Sequence, residues 1–86
     1  MIMNTDIQEK RAWILLSYRP LWETMKRKNI TTYTLIAKYN INPRTIHSLK
    51  HNKSITMYTL EKLCKILTCT PNEIIEFNFY ENKDTE

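Results

Sequence analysis

Between residues 43 and 53 the run PRTIHSLKHNK sets Arg44, Ser48 and His51 at three- and four-residue spacings, which on a helix form one stripe. Thr45 and His47 flank that stripe, while Ile46 and Leu49, with Ile41 ahead of them, form an opposite apolar face. An outward face of donors and acceptors, carrying a cation and no carboxylate, has the chemistry of a major-groove reader. Arg44 can pair bidentately with guanine, and Thr45, His47 and Ser48 can bond base edges or touch a thymine methyl. A plain polar surface helix has the same periodicity, so the run by itself leaves both readings open.

Other constellations lead less far. His47 and His51 are four apart, and with Cys64 and Cys69 they have the residue types of a zinc site. Cys64 falls in an apolar stripe and Cys69 before a helix start, so convergence of the four is not expected, and no metal or other cofactor is assigned. The two cysteines, five apart on a stretch that reads helical, should point in different directions and stay reduced as packing residues. Catalysis has no support, because the chain has no Gly-rich phosphate loop and no Ser-His-Asp set at a recognised spacing. The expectation is a non-enzyme without a small-molecule substrate.

The elements that must hold this face announce themselves by one repeated device. A hydrophobic staple places an apolar residue before the N-cap and another at the fourth helical position. Ile30, Thr31 and Leu35 fit it, as do Ile41, Asn42 and Ile46, then Ile55, Thr56 and Leu60, then Cys69, Thr70 and Ile74. Pro43 and Pro71 suit the first helical position, and TPNE from Thr70 to Glu73 reads as a capping box. An earlier helix begins near Pro20, since Arg19 is biased away from helical dihedrals by the proline after it. The map is five helices at about 20–28, 32–39, 43–51, 57–68 and 71–76.

The ends differ from the middle. EFNFYE from Glu76 alternates, with Phe77 and Phe79 on one side, and AWILLSY from Ala12 is apolar, aromatic and partly β-branched. Both read as short strands that could pair within a subunit or between two, in preference to a competing helix over 6–16 capped by Thr5. The last five residues, NKDTE, are expected to be disordered. The chain has no glycine, yet the turn between the second and third helices needs a left-handed residue. Asn40 is the candidate, because asparagine's short amide lets it visit that region. Asn52 can do the same after the third helix and Asn29 after the first.

Eighty-six residues bound the fold to one domain, near the lower end of what buries a self-sufficient core. No apolar run reaches the length of a membrane span, and the start lacks the order of a signal peptide, so the expectation is a cytoplasmic protein. The net charge of +4 is unevenly spread. Residues 17–54 hold eight Lys or Arg against Glu23 alone, whereas residues 55–86 hold three Lys against six acids. One face for a polyanion and another for something else is the implied division.

From Tyr18 to Phe77 the sequence resembles the lambda-repressor and Cro-type (XRE) helix-turn-helix domain, in its small single-domain subgroup with an aromatic-proline-leucine entry (SYRPLW) and a cysteine before the fifth helix (LTCTPNEII). The resemblance implies an all-α, five-helix lambda-repressor-like bundle, here with candidate short strands at its ends. It divides the chain into an N-terminal extension, 1–17, serving as a strand or dimer arm, a DNA-binding domain, 18–77, and a strand end and tail, 78–86. Family members repress or activate transcription as homodimers on pseudo-palindromic double-stranded DNA operators. Carried over by position, the base readers are Pro43, Arg44, Thr45 and Ser48, joined by His47. The phosphate contacts are Thr32 and Tyr33 at the start of the second helix, with Asn42, Lys50, His51 and Lys53. Thr32 replaces the family's usual glutamine, and Lys50, His51 and Asn52 replace its glutamate-asparagine-glycine, an acid exchanged for a cation. Pro43 can offer only apolar contact, which moves discrimination onto Arg44. The competing function is a protein-interaction module on this scaffold, an antirepressor or assembly partner, with AWILLSY and EFNFY as the working surface.

Overall fold

The computed structural model describes residues 12–81. In chain order these form β1 (Ala12–Ser17), α1 (Arg19–Arg27), α2 (Thr32–Ala37), α3 (Pro43–Lys50), α4 (Met57–Leu67), a single 3-10 turn (Pro71–Glu73) and β2 (Glu76–Glu81). The segments expected of residues 1–11 and of the tail after Glu81 lie outside the described residues.

Three helix starts are built as their staples require. The Thr31 side chain accepts from the Thr34 N–H at 3.2 Å, Asn42 from Arg44 at 2.8 Å and Thr56 from Thr59 at 3.1 Å, each satisfying a donor the helix cannot. The helix ends share a second device. Asn29, Asn40, Asn52 and Thr68 have φ of 59°, 58°, 55° and 51°. After three of them the next N–H reaches back five residues, Ile30 to Met25 at 2.9 Å, Lys53 to Ser48 at 2.8 Å and Cys69 to Cys64 at 3.0 Å. This is the closure that ends a helix on a left-handed residue. Ile41 reaches back six residues, to Leu35 at 3.0 Å, so Ile30 and Ile41 each close one helix and stand just before the cap of the next. Thr68 is the costly member, since a β-branched residue disfavours this region.

The apolar positions of the four helices meet in one core of Leu21, Met25, Leu35, Ile46, Leu49, Leu60, Leu63 and Leu67, completed by Tyr18, Ile41 and Ile74. Truncating such a leucine to alanine costs about 2–5 kcal/mol. The core fixes α3 on α2 and α4 through Ile46 and Leu49, so its other side faces out.

The fifth helix, expected over 71–76, is shortened to the 3-10 turn Pro71–Glu73. Thr70 makes no backbone cap and its hydroxyl turns to Asn72 instead. Glu73, expected to close the capping box, is taken by long-range partners: its carboxylate meets Arg27 at 3.4 Å and its carbonyl accepts from the buried Thr24 hydroxyl at 2.8 Å. Three residues later Glu76 enters β2 opposite Ser17, which leaves no length for helical propagation.

The all-α expectation changes accordingly to four helices plus a two-stranded antiparallel sheet. Its register pairs Ala12 with Glu81, Ile14 with Phe79, Leu16 with Phe77 and Ser17 with Glu76. At the ribbon's root Arg19 Nε meets Glu76 Oε2 at 3.3 Å. Hydrogen bonds from Ser17, then Asn78 and Arg19, hold the Glu76 carboxyl below its ordinary range. The cysteines are also corrected. The turn at Thr68 folds Cys69 back, so that its N–H donates to the Cys64 carbonyl at 3.0 Å; both thiols are free, and burial pushes both above the usual thiol range.

Candidate nucleic-acid interface

α3 begins at Pro43, where the missing N–H is one the helix start would not use, and Asn42 takes the next donor. Pro43, Arg44, His47 and Lys50 are exposed, and Thr45 and Ser48 are half-buried. A groove of about 350 Å³ runs along this face. It brings Asn42, Arg44, Thr45 and Ser48 together with Ser54, Thr56 and Thr59 from the start of α4. Every polar residue in it carries hydroxyl, amide or guanidinium groups, and no carboxylate lines it.

The α4 contribution was not assigned from the sequence. Thr56 reads there as a cap, and its hydroxyl does hold the Thr59 N–H and approach the Thr59 hydroxyl at 3.0 Å. The signal was available, however, in SIT following directly on Lys53.

Pro43, His47, Lys50, His51 and Lys53 stand outside the groove, as do Thr32 and the 77% exposed Tyr33 on the first turn of α2. The His47 and His51 rings lie 4.1 Å apart, and His51 Nδ1 is 2.9 Å from the His47 carbonyl oxygen. That contact requires a proton on Nδ1 and leaves Nε2 for an outside partner. Among the described residues no group of three or more His, Cys, Asp or Glu side chains could hold a metal ion.

The back of α3 is anchored by a residue far away in sequence. Tyr18, 1% exposed at the junction of β1 and α1, donates its hydroxyl to the Lys53 carbonyl at 2.7 Å and its N–H to Asn52 Oδ1 at 3.3 Å. Burial raises the Tyr18 hydroxyl above its ordinary range, which keeps it a donor. Asn52 thus combines a left-handed backbone with an accepting side chain.

Glu73, Glu76 and Glu61 pair with Arg27, Arg19 and Lys65. Among the described residues, Arg44, Lys50 and Lys53 have no carboxylate partner. Acids pair with Arg19 and Arg27 of α1 and Lys65 of α4, and leave Arg44, Lys50 and Lys53, together with Lys26, Lys28, Lys38 and Lys62, available to an external anion.

No curated protein matches the chain. The crystal structure of the transcriptional regulator VanUg, Form II, is similar in fold, with a TM-score of 0.70 at 23% sequence identity over 76% of this chain and 87% of that one. Among the described residues no helix is long and apolar enough to cross a membrane. The family model for the Cro/C1-type HTH DNA-binding domain matches residues 20–79, which take in the helices from the second residue of α1 onward and the acid-free groove, and the chain accordingly belongs to that family.

Proposed function

We propose that the chain is a sequence-specific transcriptional regulator of the cytoplasm, acting as a repressor, whose α3 enters the major groove of an operator. The observation that carries this is the acid-free polar groove shared by α3 and the start of α4, beside cations that no carboxylate neutralises. Arg44 is the principal base reader, pairing with guanine, while Thr45, His47 and Ser48 bond neighbouring base edges and Pro43 supplies an apolar contact. Lys50, Lys53 and His51 grip phosphates behind α3, with Asn42, Thr32 and Tyr33 in front. Two copies act together, placing two α3 helices about 34 Å apart on a pseudo-palindrome.

The test is binding of the full chain to labelled duplexes across a salt series. Affinity for random duplex should fall steeply as salt rises, and selection from a random pool should return a two-half-site motif. Absence of binding at low salt sinks the reading. On the selected operator, Arg44→Ala should cost about 1–3 kcal/mol and relax preference at one base pair. An equal loss on random DNA would make Arg44 a phosphate clamp. Lys50→Ala and Lys53→Ala should weaken binding to every sequence and each lower the salt slope by about one.

A further inference from the structure

The ribbon of β1 and β2 shows carbon where α3 shows donors. On one of its faces the cross-strand pairs Ile14 with Phe79 and Leu16 with Phe77 line up. Leu16 packs on the core, but Ile14, Phe77 and Phe79 are 53%, 64% and 61% exposed. The same face continues into an apolar groove of about 190 Å³ between the ribbon's root, at Leu16, Ile75 and Phe77, and the start of α4, at Ile55, Met57 and Leu60. Met57 at its rim is 72% exposed. The opposite face is polar at its root, where Ser17, Glu76, Asn78 and Arg19 bond one another, and carries the exposed Leu15 and Tyr80 farther out, neither of which lines the groove.

Building on the reading of the chain as a paired DNA binder, we propose that this face is a self-interface in which Phe79 of each copy enters the partner's groove between ribbon and α4. Two arguments select a second copy as the occupant. The patch holds a knob and a hole side by side, which is what an isologous two-fold contact needs, each copy filling the other. The groove is large enough for one aromatic ring, since an apolar cavity of about 150 Å³ accepts benzene.

Area is the second argument. Ile14, Met57, Phe77 and Phe79 each leave about 100 Å² of mostly apolar surface exposed, or about 800 Å² over two copies. Homodimer interfaces are about two-thirds apolar, which scales this to roughly 1,200 Å² in all, the lower end of a stable specific interface. The dimer is therefore concentration-dependent, and binding of both copies to one operator reinforces it.

Sedimentation of the full chain without DNA, over a range of concentrations, tests this. The expected result is a monomer–dimer equilibrium weakened about 100-fold by Phe79→Glu, because an isologous contact counts the substitution twice and each buried ring is worth about ten-fold. Met57→Glu on the opposite wall should weaken it too. Glutamate suits the first turn of a helix, so this variant keeps the fold should the ribbon not tolerate a charge. Circular dichroism melts would show each variant folded. A wild-type chain that stays monomeric overturns the proposal, including the case where it captures a different protein through this face. A dimer indifferent to both substitutions also overturns it. Loss of DNA binding in a wild-type chain that still dimerises, and responds to Phe79→Glu, removes the proposed function and leaves the interface standing.

Discussion

The two ends of α3 have the same backbone solution and different anchoring. In front, Asn40 turns the chain at φ 58°, and among the described residues its side chain makes no hydrogen bond. Behind, Asn52 turns it at φ 55°, and its Oδ1 takes the Tyr18 N–H while the Tyr18 hydroxyl takes the neighbouring Lys53 carbonyl. The front turn is local chemistry. The back turn is a tie to the root of the ribbon, 34 residues earlier in the chain. Whatever sets the angle of the ribbon thereby also sets where α3 ends, which couples the apolar face to the polar one through a single tyrosine.

That asymmetry can be broken most severely at Tyr18. Tyr18→Ala removes a fully buried ring and both its hydroxyl bond and its packing, so unfolding by urea should show a loss of about 3–5 kcal/mol. An unchanged midpoint would mean that the tie is ornamental. Asn52→Ala comes next. It forfeits one hydrogen bond, about 1 kcal/mol, and forces an alanine into the left-handed region at about 1–2 kcal/mol, for a loss of roughly 2–3 kcal/mol. Tyr18→Phe keeps the ring and loses only the bond to the Lys53 carbonyl. The expected loss is about 1 kcal/mol, and hydrogen exchange should quicken at the loop after α3 rather than at α2.

The same asymmetry explains what was legible in the sequence. Staples at Ile30, Ile41 and Ile55 and caps at Thr31, Asn42 and Thr56 are short-range devices, complete within five residues, and they placed α2, α3, α4 and the outward face of α3. The extended reading of EFNFYE and AWILLSY rested on alternation and composition, and the pairing of Leu16 with Phe77 fits it. Long-range partners decided the rest. Glu73 looks like the end of a capping box until Arg27 and Thr24 arrive from 46 and 49 residues away. The cysteines diverge on a continuous helix, but a threonine at φ 51° ends that helix early and turns them together. The tie from Tyr18 to Asn52 has no sequence signature at all, since neither residue type nor spacing announces it. The share of the α3 groove contributed by Ser54, Thr56 and Thr59 was hidden differently, because Thr56 already had a sufficient local role as a cap.

The smallest expected effect separates the two turns most cleanly. Glycine visits the left-handed region without the cost of a Cβ, but it gives up more freedom on folding than asparagine does, so the two backbone effects nearly offset. Asn40→Gly should then change stability by no more than about 0.5 kcal/mol. At Asn52 the same exchange carries the same backbone effects and also deletes the acceptor of the Tyr18 N–H. The difference between the two glycine variants isolates that hydrogen bond, free of the conformational contribution that complicates Asn52→Ala. It should come to about 1 kcal/mol, with 3.3 Å placing it toward the weaker side of the usual range. Equal midpoints for the two variants in parallel urea titrations would make the back turn as local as the front one. The coupling of α3 to the ribbon would then rest on the Tyr18 hydroxyl and the packing of its ring alone.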